Sequence, residues 1–460
     1  MVKLFETRHL TLKQQDNVVE NSPESALVTA NEVTDRLTND YNNLVEQNLK
    51  RNFIVHVCHG LLGQTGFRLL NTPTFLPAYI LLLSGSNMIV SVAEALKNLG
   101  MAITPLIGAN FIAHRKKVLP TGFLIGGAMR LAVLGIALTG LFLPTGWILP
   151  GILFFLLAFG VFTGMQGVIF NMLMSKVIPT RLRGRLTGYR NFLAGITTAI
   201  VAYLAGKYFI GDNPQISGYS YTFLLSFVLT SVGLSFLFFI REPDALRVKV
   251  ASSLRQQIKN IPAFIDADPG FRNYLFARSI ATAGRMALPF YILLLSAQFG
   301  FTGEFLGKFS FAFLFIGTLS NLVWGRLADS YGFKVVMSGS LGLWIVAGLS
   351  ITFAQNEWTL LAAYGFVGAA YQGFMQGGNN MTLEFGSSQD LPVKIALSNS
   401  ASELVSLITV LAAGVYLTLG NSYESVIYFS VACHAVSLIY FCWFVPEPRY
   451  QKKPSSESIT

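Results

Sequence analysis

Charged side chains are scarce in this sequence. Asp, Glu, Lys and Arg make up 12% of its 460 residues, whereas a soluble domain carries roughly a quarter. Hydrophobic residues make up 52%. Apolar stretches of about 18 or more residues, each able to cross a hydrocarbon core of roughly 30 Å, follow one another from about Phe53 to Val445. We therefore predict an all-α integral membrane protein.

Cysteine is also rare, and catalytic motifs are missing. The three cysteines, Cys58, Cys433 and Cys442, lie in apolar stretches without the spacing of a metal or redox site, which argues against a disulfide framework. The sequence has no HExxH and no GxSxG, and the segment Gly303–Phe309 is one residue too short for a phosphate loop. We predict no enzyme activity, no cofactor and no metal.

The apolar stretches predict twelve transmembrane helices, called spans 1 to 12. Their expected bounds are 56–83, 88–112, 119–143, 148–174, 188–210, 219–240, 273–296, 304–325, 335–355, 358–383, 396–419 and 425–445. A polar, basic segment separates two groups of six. The expected parts are a tail (1–51), an N-terminal bundle (52–240), a linker (241–272), a C-terminal bundle (273–445) and a second tail (446–460).

Basic residues mark one side of the membrane, which we call the basic face. Loops 84–87, 144–147, 211–218, 297–303, 356–357 and 420–424, on the opposite face, contain no Lys or Arg. Basic loops resist translocation, so the basic face and both termini are predicted to be cytoplasmic. The net charge of +10 follows from this placement and does not indicate nucleic-acid binding. No glycosylated loop or disulfide suggests a eukaryotic surface protein, so a monomer in a bacterial inner (plasma) membrane is expected.

The polar N-terminal tail contains no secretory signal. From Val33 onward, a helical pattern places Leu37, Tyr41, Leu44, Val45 and Leu49 on one face. Two interpretations remain open: a helix that lies on the membrane or on the protein itself, and a helix that docks a regulatory partner.

An octet occurs twice: PAYILLLS at 77–84 and PFYILLLS at 289–296, 212 positions later. Other pairs recur in the same order at similar offsets, among them Trp147 with Trp358 and Gln166-Gly167 with Gln372-Gly373. Together they predict two pseudo-symmetric six-helix bundles that arose by duplication, a plan known from transporters with a substrate site between the halves.

The segment Gly325-Arg326-Leu327-Ala328-Asp329-Ser330-Tyr331-Gly332-Phe333-Lys334 resembles the signature loop of the major facilitator superfamily. The resemblance covers about residues 52–448 and implies that superfamily's fold. The corresponding first-half loop, 108–117, has Ile112 where the family expects aspartate.

The resemblance also implies a gate. Asp329 would accept hydrogen bonds from the start of span 5, or pair with Arg183 or Arg185 there, and so hold the basic face closed. The predicted gating residues are Gly325, Asp329, Gly332, Lys334, Arg183 and Arg185.

In that superfamily spans 1, 4, 7 and 10 line a central cavity. Here Arg68, Arg130 and Arg285 lie near the middle of spans 1, 3 and 7. An arginine at that depth costs several kcal/mol unless it is paired or hydrated. Either carboxylates or carbonyls pair with these arginines, or they form a cationic cavity for an anionic group.

Amide side chains on spans 4 and 10 favour a polar ligand, although they can also join neighbouring helices. The predicted substrate-binding residues are Arg68, Gln166, Arg285, Tyr371, Gln372, Gln376 and Asn379. For proton or cation coupling the candidates are Glu403 in span 11 and Glu94 in span 2, though Glu403 can instead neutralise Arg285 or Arg278. His56 and His59 are expected at the membrane interface.

These observations predict a secondary transporter that moves a small, polar, anionic solute by alternating access of its two bundles. The expected partners are that solute, membrane lipid and a proton or cation as co-substrate. The alternatives are a proton-coupled efflux pump for drugs or metabolites, and a non-transporting receptor or scaffold with the same fold.

Overall fold

A computed structural model describes residues 36, 38–113, 115–245, 261–354, 356–385 and 391–450. Each of the twelve predicted spans coincides with helix there. Within the described residues, ten helices are long and apolar enough to cross a membrane. Spans 1 and 10 are not among these ten. Span 1 is broken into two helices, and the polar side chains of span 10 lower its mean hydropathy.

The N-terminal bundle contains spans 1 to 6. Their bounds are Leu49–Asn71 with Phe75–Ser84, Asn87–Ala113, Leu119–Phe142, Thr145–Val177, Thr180–Ala205 continued by a π-helix at Gly206–Ile210, and Ile216–Phe236 followed by a 3-10 turn at Leu237–Phe239. A short helix, Ile261–Asp266, precedes the second bundle.

The C-terminal bundle contains spans 7 to 12. Their bounds are Pro269–Gly284, Arg285–Ala287 (3-10) and Leu288–Phe299 for span 7, then Gly303–Tyr331, Phe333–Phe353, Glu357–Glu384, Leu391–Thr418 and Tyr423–Phe444.

The repeated octets occupy the same place in the two bundles. Each begins shortly after its span is interrupted, at 72–74 in span 1 and at the 3-10 turn in span 7. Pro77 and Pro289 lie in the first turn of the helix that follows each interruption, where a missing backbone N–H is tolerated. Tyr79 and Tyr291, at matching positions of the octets, are both fully buried.

The hydrogen bonds that join the two bundles between described residues run from the opposite face to the middle of the membrane. Near the opposite face, Tyr364 donates to the Pro73 carbonyl (3.1 Å) and Tyr423 donates to the Asn87 side chain (2.7 Å). At mid-membrane, Asn98 donates to Ser406 (3.1 Å). The two bundles are therefore in contact at the opposite face.

Glycines allow spans 5 and 8 to touch through their main chains. The Gly303 amide donates to the Gly211 carbonyl over 2.7 Å. A Cβ at Gly206 or Gly303 would collide with backbone atoms of the partner helix. Only glycine permits this approach, as in other small-residue contacts between membrane helices.

The chain before span 1 is helical at 38–47 and lies against the basic face of the N-terminal bundle. Tyr41 donates to the Lys176 carbonyl (3.0 Å), Glu46 pairs with Arg181 (2.8 Å), and Val45 is buried. The helix thus contacts the protein itself, while a regulatory role stays a prediction. Val33 and Leu37 lie outside the described residues.

A Glu-Pro pair follows the last span of each bundle and makes the same contact. Glu242 accepts hydrogen bonds from the amides of Val118 (2.7 Å) and Leu119 (2.8 Å) at the start of span 3. Glu447 accepts one from the Lys334 amide (2.8 Å) at the start of span 9. This further mark of duplication was missed in the sequence.

Candidate functional site

A cavity of about 220 Å³ lies between the two bundles. Spans 1, 2, 7, 8, 10 and 11 supply its walls. Its polar and charged lining residues are Asn71, Thr72, Glu94, Lys97, Asn98, Arg285, Tyr371 and Glu403. The breaks of spans 1 and 7 both border it, so backbone groups freed from helical hydrogen bonding face a polar space.

The four charged residues of the cavity differ in their pairing. Glu94 and Lys97, one turn apart on span 2, form an ion pair of 2.7 Å. Arg285 and Glu403 form no ion pair with any residue that the structure describes. The site therefore holds one cation and one anion that form no ion pair among the described residues.

Aromatic residues position Arg285. Its guanidinium lies 5.8 Å from the ring centroid of Tyr371, a cation–π contact that is worth about 0.5–2 kcal/mol. The Tyr371 ring packs edge-on against Trp344 at 6.3 Å. The Arg285 Nε atom is buried without a hydrogen-bond partner among the described residues. The guanidinium is thus held in place while its donors remain available.

Five other predicted substrate residues do not line this cavity. Arg68 is half-buried and donates hydrogen bonds to Gln64 and Asn191, while Gln166 lies beside Gly126 and Arg130. Gln372 packs against Gly317 of span 8, and Gln376 is half-buried with its Oε1 atom unpaired in the described structure. Asn379 is exposed and accepts a weak hydrogen bond from Arg278. The structure therefore brings Arg285 and Tyr371 together with Glu94 and Glu403.

Arg130 is held by main-chain oxygens. It is 5% exposed, its Nε donates to the Thr230 carbonyl (2.6 Å), and its Nη1 donates to the Gly126 carbonyl (2.7 Å). Arg278 is likewise bonded by neutral groups, with Ser398 at 2.7 Å and Tyr274 at 2.9 Å. For both residues the structural interpretation accounts for the charge.

Comparison with known proteins identifies the fold. A family model described as "Major Facilitator Superfamily" matches residues 274–459. XylE, a xylose transporter from E. coli, superposes with a TM-score of 0.64 at 15% identity, covering 86% of this chain and 99% of that one. The structure titled "Crystal structure of nucleoside transporter NupG" gives 0.60 at 12% identity, covering 84% and 98%. Residues 274–459 therefore match this superfamily's model, and the chain as a whole shares the fold of these solved transporters.

Relatives of this chain by sequence are distant. "Probable anion transporter 4, chloroplastic" of Arabidopsis thaliana is 24% identical over 201 residues, 40% of this chain and 38% of that protein. "Probable anion transporter 2, chloroplastic" of Oryza sativa subsp. japonica is 33% identical over 82 residues, 18% and 15%. The matches span less than two fifths of either relative. They support an integral membrane protein but give no support to a bacterial inner membrane.

The superfamily's signature loop is well defined on the C-terminal side. Gly332 ends span 8 with a φ of +87°, and the Glu447 carboxylate lies where a Cβ would be. The Lys334 Nζ atom donates to the Cys442 carbonyl (3.1 Å). Gly325 faces open space, and Asp329 is exposed without an ion pair among the described residues.

The two arginines expected opposite Asp329 have other partners in this conformation. Arg183 donates to the carbonyls of Ile178 (2.9 Å) and Ser175 (2.7 Å), while Arg185 contacts Tyr189. The predicted contact of Asp329 with Arg183 or Arg185 is thus absent in this conformation, in which the bundles are in contact at the opposite face.

Sequence reasoning missed or misplaced three residues. Lys97 was not predicted in the site, although its spacing of three from Glu94 indicated a shared helix face. His56 and His59, expected at the interface, are buried at 0% and 7% exposure beside Phe170 of span 4. That expectation was wrong because span 1 begins at Leu49, which carries both histidines deeper into the bundle.

Proposed function

We propose that this protein is a secondary transporter that moves a small anionic solute through the cavity between its bundles. The observation that carries this proposal is Arg285, a cation in the cavity without a carboxylate partner in the described structure. An unpaired arginine inside a membrane protein is costly, and a bound anion would remove that cost. The naming of two distant relatives as probable anion transporters supports the same substrate charge.

Contacts between the bundles support alternating access. The hydrogen bonds near the opposite face, such as that from Tyr364 to Pro73, would break in the other state. The signature loop would then close the basic face through Asp329 and Arg183 or Arg185, which are free to exchange partners. The cavity would be reached from each side in turn.

Glu403 is the proposed coupling residue. The Glu94–Lys97 pair is neutral overall, so the charge of the cavity depends on Arg285 and Glu403. A proton on Glu403 would leave a net positive cavity, which binds an anion more tightly. Because binding free energies are reciprocal, the anion would also favour the proton, and the two would be carried together.

Cavity size favours this function over efflux of drugs. A volume of about 220 Å³ is below the roughly 300–1,000 Å³ of drug-sized ligand sites. A receptor or scaffold with the same fold would have no need of an unpaired arginine there. A small solute is therefore the better occupant.

The test is isothermal titration calorimetry of the detergent-purified protein with acetate, methanesulfonate, lactate and ethylammonium. We expect anions alone to bind, with affinity about 10- to 100-fold lower in Arg285→Gln, since a hydrogen bond to a charged group is worth about 1.5–3 kcal/mol. The matched control is Arg272→Gln, an exposed arginine of the same span. Binding of ethylammonium alone, or equal anion affinity in Arg285→Gln, would refute the proposal.

A further inference from the structure

The N-terminal bundle contains buried positive charge that nothing acidic balances. Its spans 1, 3, 4, 5 and 6 contain no Asp or Glu, and the one acidic residue of span 2, Glu94, is paired with Lys97. Arginines nevertheless lie inside this bundle. Carbonyl oxygens account for Arg130, as shown above. Arg68 and Arg190 have no such account.

Arg190 lies on span 5 and is 4% exposed. Its guanidinium lies 4.3 Å from the ring centroid of Phe170, and its Nε atom is buried without a hydrogen-bond partner in the described structure. A ring contact of this kind covers the flat face of the guanidinium. The N–H groups point outward along its edge, so they stay free to donate.

Arg68 on span 1 reaches Asn191, the residue that follows Arg190 on span 5. Its bonds are long and go to neutral groups: Nη2 to Gln64 at 3.3 Å and to Asn191 at 3.5 Å, and Nη1 to the Asn191 carbonyl at 3.4 Å. Asn191 directly follows Arg190 in the sequence, so Arg68 contacts the turn of span 5 that carries Arg190. Two guanidiniums and two amides thus share one region.

Local packing keeps Arg190 in this region. Gly60 of span 1 lies under its side chain, and a Cβ at Gly60 would collide with the Arg190 Nε, Cγ and Cδ atoms. The other titratable groups around Arg190 are His56 and His59, which are buried on span 1. Both are cationic or neutral in every protonation state, and neither can supply a negative charge.

We propose that Arg68 and Arg190, with Gln64 and Asn191, form an anion subsite on the N-terminal bundle that selects doubly charged over singly charged solutes. We call these four residues the dianion subsite. Two like charges held close together are relieved most by a ligand with two negative charges, and guanidinium forks fit both phosphate monoesters and dicarboxylates. The inference rests on the proposed function, because a subsite that selects dianions has a role only if the protein moves an anion.

The test measures selectivity with four probes: ethyl phosphate and succinate as dianions, methanesulfonate and acetate as monoanions. Calorimetry on the full chain at pH 7.5 compares ethyl phosphate with methanesulfonate and succinate with acetate. At least one of the two dianions should bind at least about tenfold more tightly than the monoanion it is compared with. Arg190→Gln should lower dianion affinity by about 10- to 100-fold and change monoanion affinity by less than about threefold. A preference for ethyl phosphate or for succinate identifies the chemistry of the solute.

Two further variants separate charge from position. Gly60→Ala keeps every charge but fills the space of the Arg190 side chain, so it should also reduce the dianion preference. Arg115→Gln removes an exposed arginine of the basic face and should leave that preference unchanged. Monodisperse elution and an unfolding midpoint near that of the wild type would show that each variant folds.

The wild type alone also gives a decisive result, should Arg190→Gln fail to fold. The second pKa of a phosphate monoester is about 6, so ethyl phosphate changes from monoanion to dianion between pH 5 and pH 7.5. Its affinity relative to methanesulfonate at the same pH should rise across this range. A constant ratio would overturn the dianion subsite.

The outcomes also separate the two proposals. If anions bind through Arg285 but the wild type shows no preference for two charges, the dianion subsite is refuted and the proposed function stands. If dianion preference persists unchanged in Arg190→Gln and Gly60→Ala, the subsite is likewise refuted. If no anion binds the wild type, the proposed function fails and the subsite with it.

Discussion

Thr74 of span 1 and Ser310 of span 8 join the two bundles directly, with 2.5 Å between their hydroxyl oxygens. Both hydroxyls are buried, at 0% exposure, next to the break in span 1. The contact belongs to the closed opposite face, and transport by alternating access requires that it separate.

Cysteines at these two positions should therefore lock the transporter. The hydroxyl oxygens of Thr74 and Ser310 lie 2.5 Å apart, close to the roughly 2 Å sulfur–sulfur bond of a disulfide, so cysteines at these positions should reach each other. In a background in which Cys58, Cys433 and Cys442 are replaced by serine, we expect Thr74→Cys/Ser310→Cys to lose uptake on oxidation and regain it with dithiothreitol. Uptake into proteoliposomes measures this. Full activity of the cross-linked protein would contradict closure at this point.

Replacement of Arg130 and replacement of Arg285 should have different effects on stability and on anion binding. Arg130→Met removes two hydrogen bonds from a charged donor to buried carbonyl oxygens and should lower the free energy of unfolding by about 2 kcal/mol or more. Arg285→Met removes a cation that lacks such partners, so it should cost little stability while abolishing anion binding. Thermal unfolding and calorimetry of both variants test the contrast, and equal destabilisation would refute it.

Lys176 and Glu242 form a buried ion pair of 2.5 Å, with side chains 5% and 2% exposed. Lys176→Met leaves the carboxylate buried without its cation, a change that costs about 3–5 kcal/mol. Lys176→Met/Glu242→Gln should recover part of this loss, because no charge remains buried. Unfolding midpoints of the single and double variants measure the difference. Additive losses would show that the pair does not act as a unit.

Glu447 should make stability depend on pH. Burial raises the pKa of its carboxyl group, nearby Glu384 adds to that, and the Lys334 amide opposes it. A raised folded-state pKa contributes stability below the unfolded value of about 4.3, and this contribution is lost as pH rises through the folded pKa. The midpoint of Glu447→Gln relative to wild type should therefore rise between pH 4 and pH 7. A gap that is constant with pH would exclude this role.

Asp329 should matter for the state that this structure does not show. Because it is exposed and without an ion pair among the described residues, Asp329→Asn should leave the unfolding midpoint unchanged. If it closes the basic face in the other state, the same variant should slow uptake. Reaction of a cysteine placed at Asn191 with an impermeant maleimide should become faster. Unchanged labelling would exclude the proposed gate.

The sequence predicted the positions of the spans because hydrophobic length is set by the membrane and needs no tertiary information. It also indicated Arg285, since an arginine at mid-depth in a broken span demands a reason. It could not decide which way each polar face turns. Gln372 faces span 8, not the cavity, and an amide can bond a helix or a solute equally well.

The sequence position of Arg190 also gave no indication of the dianion subsite. Arg190 is close to the start of the predicted span 5 (188–210), where a basic residue is expected near the basic face. In the structure it lies ten residues into that span, whose helix begins at Thr180. Only packing reveals that Gly60 leaves room for its side chain and that no acidic residue of the described structure pairs with it. Lys97 was missed because the sequence does not show which face of span 2 lines the cavity, although Glu94, three residues earlier, was predicted.

The main-chain contact between Gly303 and Gly211 implies that the two faces answer to different conditions. The hydroxyls, amides and carbonyls that join the bundles there carry no net charge, so salt and pH should have little effect on those bonds. The ion pairs of Lys308 with Glu304 and Glu357 at that face lie within the C-terminal bundle. The basic face is bordered by carboxylates, lysines and arginines, which ions screen and protons neutralise. A change in cellular pH or ionic strength would then act on one gate alone, and so would bias the direction in which the transporter rests.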